Sequence, residues 1–231
     1  MNQENIKRKI LETYELCGVD SFPLDCYSIL QCFGFKVYSY SKIRALNSEL
    51  FSMCQNFSAD AFRFKNIICF NDLKPKERIC FSLMHELGHY LLEHRSSQAF
   101  CEFEADCFAS HILAPPLVIH LSGFRTAKDI SRVFSISRSA AYHAKNNYKI
   151  WSAHSPSAAD HMLYNHFFNK QFGFFIYQKK VCPLCQKPYF NSMKEICPRC
   201  IGKHKYGHLN HEDNRDNKDL IAAEYQWLFD F

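Results

Sequence analysis

His85-Glu86-Leu87-Gly88-His89 sets two imidazoles four residues apart with a carboxylate beside the first. On a helix that step puts both rings on one side, where they can grip one metal ion, and it leaves Glu86 next to the metal without being a ligand. A catalytic zinc takes three protein ligands and keeps a position for water, whose pKa falls toward about 7. Glu86 is then the expected general base and acid, taking the proton of that water and passing it to a leaving amine. The chain has 12 histidines in 231 residues, so the pattern by itself is only suggestive and its surroundings decide. Ile79-Cys80-Phe81-Ser82-Leu83-Met84 precede it and Tyr90-Leu91-Leu92 follow. That much apolar surface predicts a helix buried in a core with its metal-binding face at one edge, not a surface helix with incidental histidines.

A second constellation lies near the other end. Cys182-Pro183-Leu184-Cys185 and Cys197-Pro198-Arg199-Cys200 form two C-x2-C knuckles with eleven residues between them. Four thiolates at this spacing close a tetrahedral shell and leave no position for water, so the expected zinc is structural. A module so small has little core of its own, and metal binding would supply much of its folding free energy. The sequence thus calls for two Zn2+ ions, one catalytic and one structural. Lys179, Lys180, Lys187, Lys194, Arg199, Lys203 and Lys205 surround the knuckles. They read as a solvated face or a protein-docking surface, with nucleic-acid contact possible but not favoured. His204, His208 and His211 read as linker residues.

A third ligand for the first site must come from a nearby element, and Glu102-Phe103-Glu104-Ala105-Asp106 supplies three carboxylates. The arrangement resembles that of the gluzincins, in which a glutamate on the following helix completes the site and an aspartate one turn later holds a ligating histidine. The resemblance assigns Glu102 as ligand and Asp106 as the partner that fixes a histidine tautomer. Glu104 competes for the ligand position, because only helix phase separates it from Glu102. The run from Arg78 through Pro115 resembles the ImmA/IrrE family of metallopeptidases: R-x-x-F-S-L-x-H-E-L-G-H-Y-L-L, then E-x-E-A-D-x-F-A, then I-L-A-P. Phe22-Pro23-Leu24-Asp25 with Gly34-Phe35 is similar to the family's N-terminal region, and Ala127 to Tyr148 to its helix-turn-helix-like segment. Ile112-Leu113-Ala114-Pro115 departs mildly from the family's L-L-M-P, and the chain beyond residue 150 lies outside the familiar core. The resemblance implies limited cleavage of a regulatory protein, often a helix-turn-helix repressor of a mobile element or a stress-response gene. Tyr90, His94, His111 and His143 are donors that could serve a developing oxyanion, though each reads first as a packing or surface residue.

The elements that must position these groups follow from periodicity. Residues 4–17 read as an amphipathic helix ended by Gly18, and a second helix begins after Pro23 and closes at Gly34. Residues 35–40 alternate as a strand, 41–54 return to helical spacing, and 61–70 read as a strand or hairpin. Helices follow from Pro75 to about His94 and from Ser97 to Leu113, the latter stopping before Pro115-Pro116. Two shorter helices, 127–134 and 137–146, share a buried face of Ile130, Val133, Phe134, Ile136, Ala140 and Ala141. The stretch 151–180 resists assignment apart from a strand at 172–177. Leu220 to Phe231 suggests a terminal helix after the polar run 212–219.

The fold expected is α+β: a mainly helical zincin-like core with a small sheet, a helix-turn-helix-like segment and a zinc ribbon. The domains expected are 1–122, 123–150, a connecting region 151–180, the ribbon 181–202, and a linker with terminal helix at 203–231. Met1 to Lys9 lead into no apolar run, so neither signal peptide nor membrane anchor is expected and the protein is placed in the cytoplasm. Twelve cysteines in that setting read as reduced, eight of them packing as small hydrophobes. A net charge of +5, spread along the chain, argues against a dedicated nucleic-acid surface. The function expected is that of a zinc endopeptidase acting on a repressor-like protein. The alternatives are a DNA-associated regulator or a toxin–antitoxin-type partner-binding protein with a non-catalytic metal site. Substrate, scissile bond and oligomeric state are not fixed by the sequence.

Overall fold

The computed structural model describes residues 3–95, 98–124 and 126–206, with side chains through residue 202. The terminal helix expected at 220–231, the polar run before it and the side chains of His204, His208 and His211 lie outside the described residues. The chain divides into two compact units, one ending at Lys179 and one beginning at Lys180.

In the first unit α1 (Gln3–Cys17) turns Ile6, Ile10, Leu11 and Tyr14 into the core. Gly18 ends it at φ +63°, a conformation a side chain would strain. α2 (Cys26–Cys32) starts on Asp25, whose carboxylate accepts the backbone N–H groups of Tyr27 and Ser28. β1 (Lys36–Ser39) leads into α3 (Tyr40–Leu46) and α4 (Ser48–Phe57), where periodicity had predicted a single helix. Asn47 makes the break: it sits in extended geometry and its side chain accepts the Leu50 N–H at 2.9 Å. An asparagine that caps a new helix start has no reason to continue the old one.

β2 (Ala61–Phe64) and β3 (Ile67–Phe70) form a hairpin with Lys65 at positive φ in its turn. The sheet order is β1-β3-β2, with β1 parallel to β3 and β2 antiparallel to it. Among the described residues β2 is therefore an edge strand. α5 (Lys76–Leu91) and α6 (Ala99–Leu113) follow and pack against each other. Pro75 caps α5 from outside, and Leu83, Met84 and Leu87 are fully buried.

Pro115-Pro116 stops α6 as expected but also opens α7 (Pro116–Leu121), since proline suits the first turn of a helix. α8 (Ala127–Phe134) and α9 (Arg138–Ser152) follow, α9 running about six residues beyond its predicted end. Of the predicted shared face, Ile130, Val133, Phe134, Ile136 and Ala141 are buried. The unassigned stretch holds α10 (Ala158–Phe167), opened by a capping box between Ser157 and Asp160. The strand expected at 172–177 shrinks to the two-residue pair β4 (Phe168–Asn169) and β5 (Phe174–Phe175).

Segments 123–150 and 151–179 belong to the same compact unit as the metal helices. α10 docks on α1 through Lys7 and Asp160, 2.8 Å apart, and through the Ala159 N–H donated to Glu4. Tyr14, Phe22, Phe134 and Phe167 meet edge to face or tilted beneath this junction. The second unit comprises β6 (Lys179–Val181), β7 (Pro188–Phe190) and α11 (Pro198–Tyr206), with β6 paired to β7. No helix among the described residues is long and apolar enough to cross a membrane.

Candidate metal centres

Helix α5 presents His85 and His89 one turn apart, with their Nε2 atoms 3.0 Å from each other. Glu102, in the first turn of α6, reaches both: its oxygens lie 3.3 Å from His85 Nε2 and 3.5 Å from His89 Nε2. All three ligand atoms fall within 4.8 Å of one another. Zinc bonds of about 2.0–2.2 Å to nitrogen and oxygen give a tetrahedral edge about 3.3 Å long, so the three residues fit a zinc ion. Two imidazole nitrogens and a carboxylate oxygen are also a donor set suited to a divalent cation such as zinc.

Glu102 faces the histidines, whereas Glu104 turns away to His94 Nε2 at 3.3 Å. Asp106, one turn after Glu102, receives His85 Nδ1 at 2.8 Å. That bond places the His85 proton on Nδ1 and leaves Nε2 free to ligate. Burial pulls His85 down, but Asp106 outweighs it and the imidazole ends above its ordinary value. His89 lies below its ordinary value, through burial and then the neighbouring His85 charge.

The close approach of the two helices rests on Gly88. A Cβ built there would lie 3.1 Å from Cδ1 of Phe108 and 3.3 Å from Cα of Ala105. Only glycine lets α6 come near enough for Glu102 to reach across.

Glu86 stands at the base of a cleft of about 650 Å3, walled by Ala61, Phe62 and Arg63 of β2 on one side. Burial pushes its carboxyl up to about 7, against the pull of His85 and Arg63. The Arg63 backbone N–H points at that carboxylate, so the outer edge of β2 faces the cleft. Arg78 of α5 ties the start of this strand in place through Asp60 at 2.6 Å. Of the four donors considered for an oxyanion, His94 lines the cleft. Tyr90 instead packs against Phe33 and Phe35. His111 is near Lys7 and Asp160, and burial with the Lys7 charge pushes it down to about 4. The contact between His94 and Glu104 escaped sequence reasoning, because neither residue belongs to a spacing pattern.

In the second unit Cys182, Cys185, Cys197 and Cys200 bring their sulfurs within 4.8 Å of one another. Cys185 and Cys197 are 3.7 Å apart, close to the roughly 3.8 Å edge of a zinc tetrathiolate with bonds of about 2.3 Å. The Cys197 N–H donates to Cys182 Sγ at 3.5 Å. Tyr189 packs on the sulfurs and donates its hydroxyl to the Lys194 carbonyl at 2.8 Å. The other eight cysteines are free thiols: Cys26, Cys54 and Cys69 are buried, Cys17, Cys80, Cys101 and Cys107 are half-buried, and Cys32 is exposed.

A helix pair carrying H-E-x-x-H with a carboxylate from the next helix, beside a small mixed sheet, is the architecture of a zincin-like metallopeptidase core. Residues 49–145 match the family model Peptidase_M78, the IrrE N-terminal-like domain. The match contains α5, α6 and the whole first metal centre, and it ends within α9. No curated protein matches the chain.

Proposed function

We propose that the chain is a zinc-dependent endopeptidase that makes limited cuts in a regulatory protein, with a helix-turn-helix repressor as its substrate class. The observation that carries this reading is the convergence of His85, His89 and Glu102 beside Glu86, in a cleft walled by an edge strand. Zinc held by those three residues would polarise a scissile carbonyl and lower the pKa of a water toward about 7.

The chain's own groups divide the remaining work. Glu86 takes the proton of the attacking water and returns it to the leaving nitrogen. Asp106 keeps His85 in the ligating tautomer. The outer edge of β2 lies along the cleft, and an extended peptide adds to it as another strand. Such docking needs an extended segment several residues long. A folded protein offers one only in a linker or loop, so cleavage is limited by nature. The repressor as substrate is supported by the family resemblance. The two cysteine knuckles and the free thiols support a reducing, cytoplasmic setting. The four ribbon cysteines would hold a structural zinc, and the basic residues around them form a solvated face or a protein-docking surface in preference to a nucleic-acid-binding one.

The test is co-expression with a repressor-like protein encoded beside this chain, read by intact mass. Wild type yields two fragments, and Glu86→Gln keeps two zincs per chain but yields none. An uncut repressor together with tight, salt-sensitive duplex binding would replace this reading by a DNA-associated regulator. A stable complex without cleavage would point to a partner-binding protein of toxin–antitoxin type.

A further inference from the structure

α5 ends in a turn that folds the chain back onto its own metal-binding histidine. Leu92 closes the helix, Glu93 takes φ +57°, and the N–H groups of Glu93 and His94 donate to the carbonyls of Tyr90 and His89 at 3.2 and 3.0 Å. This is a Schellman motif with glutamate where glycine is usual. It brings the His94 ring over His89, with Nδ1 of one 3.0 Å from Nδ1 of the other. The far nitrogen of His94 lies 3.3 Å from Glu104. His94 and Glu104 have side chains only 6% and 14% exposed, in contrast to the 57% of Asp106. A buried carboxylate is costly unless a donor meets it, and His94 is that donor.

The two ends of this chain of contacts fix every proton in it. If His89 Nε2 gives its lone pair to zinc, the His89 proton must sit on Nδ1. His94 Nδ1, 3.0 Å away, must then accept it, which puts the His94 proton on Nε2, facing the Glu104 carboxylate. A carboxylate can only accept and a metal can only take a lone pair, so no other neutral arrangement satisfies all the contacts.

We propose that His94 and Glu104 are positioning residues for the metal centre: a histidine–glutamate relay that holds His89 in its ligating tautomer and orientation, as Asp106 holds His85. The inference rests on the reading of His85, His89 and Glu102 as a zinc site. Each histidine ligand then has its own support, one exposed and direct, the other buried and passed through a second imidazole. His94 sits too firmly against His89 to serve a developing oxyanion, and Glu104 is committed to His94 in place of the metal.

The test is a stepwise chelator titration of the full-length zinc-loaded chain, with the ribbon zinc as internal reference. His94→Phe keeps a ring but removes the acceptor. It should weaken the first-site zinc about 10–100-fold and leave the ribbon zinc unchanged, while the metal-free protein melts somewhat lower because Glu104 loses its donor. His94→Asn restores an acceptor near the Nδ1 position and should recover most of that affinity. Glu104→Gln, which perturbs the fold less, should fall between wild type and His94→Phe. Two zincs in wild type with unchanged first-site affinity in His94→Phe and Glu104→Gln would overturn the relay alone. A wild type that holds only the ribbon zinc would overturn the relay and the zinc-site reading together.

Discussion

Gly88 of α5 lies against Phe108 of α6 so closely that a single added methyl group would come within 3.1 Å of the ring. Phe108 is fully buried and cannot swing aside. Gly88→Ala should therefore push α6 away from α5 and cost about 1–3 kcal/mol, the usual range for overpacking. Because Glu102 rides on α6, the same substitution should weaken zinc binding at the first site. Chemical denaturation and zinc titration of the variant check both effects.

Glu102 and Glu104 differ by two residues and point to different partners, Glu102 to both ligating histidines and Glu104 to His94. Elemental analysis should find one zinc per chain in Glu102→Ala and two in Glu104→Ala at saturating zinc. The reverse pattern would exchange their roles.

The ribbon has only a small cluster around its sulfurs, with Tyr189 and Ile196 as its main apolar additions. Cys197→Ser should remove one zinc and abolish backbone amide protection across β6 and β7, as expected for a fold that depends on its metal. Amide exchange of the full chain should show α5 and α6 as protected as in wild type. Equal loss in α5 would mean that the units do not fold separately.

Acid should destabilise the first unit through His111. Its folded pKa is about 4 and its unfolded value about 6.5, so the neutral form is the one the fold accepts. Above about pH 6.5 neither state binds the proton and stability is complete. Between about 6.5 and 4 the unfolded chain takes up a proton that the fold refuses, and on the order of 3 kcal/mol is lost. Asp160, kept below its ordinary value because Lys7 and Ser157 outweigh its burial, adds to the loss at still lower pH, where it must be protonated. Denaturation midpoints at pH 7 and pH 5 should differ in wild type and differ less in His111→Leu.

Glu93 occupies a left-handed position that favours glycine. Glu93→Gly should stabilise the protein by roughly 1 kcal/mol and leave zinc affinity as it is. A loss of affinity would show that the glutamate side chain itself takes part in the site.

The parts that local periodicity controls were legible in the sequence. H-E-x-x-H fixes two imidazoles on one face because a helix repeats every 3.6 residues, and two C-x2-C knuckles define a tetrathiolate by spacing alone. The apolar flanks of α5 announced a buried helix, and Gly18 marked a helix end by its own conformational preference. Asn47 could have been read the same way, as a cap that divides 41–57 into two helices. α10 was hidden because its stretch mixes histidines, asparagines and aromatics without a clean repeat, and its capping box became meaningful only once Lys7 met Asp160.

What only the tertiary structure decided concerns phase between elements. Glu102, Glu104 and Asp106 all lie on one helix, and a sequence has no means of stating how that helix is rotated against its neighbour. The rotation is set by the contact of Gly88 with Phe108 and Ala105, a matter of van der Waals volume between residues about twenty positions apart. The fold-back of His94 depends likewise on a single positive φ at a residue not built for it, and the cleft wall on which strand of the sheet is left at the edge. The histidine pair and the four cysteines were written in local spacing. Their supports were fixed by packing, which acts over distance and leaves no periodic trace in the chain.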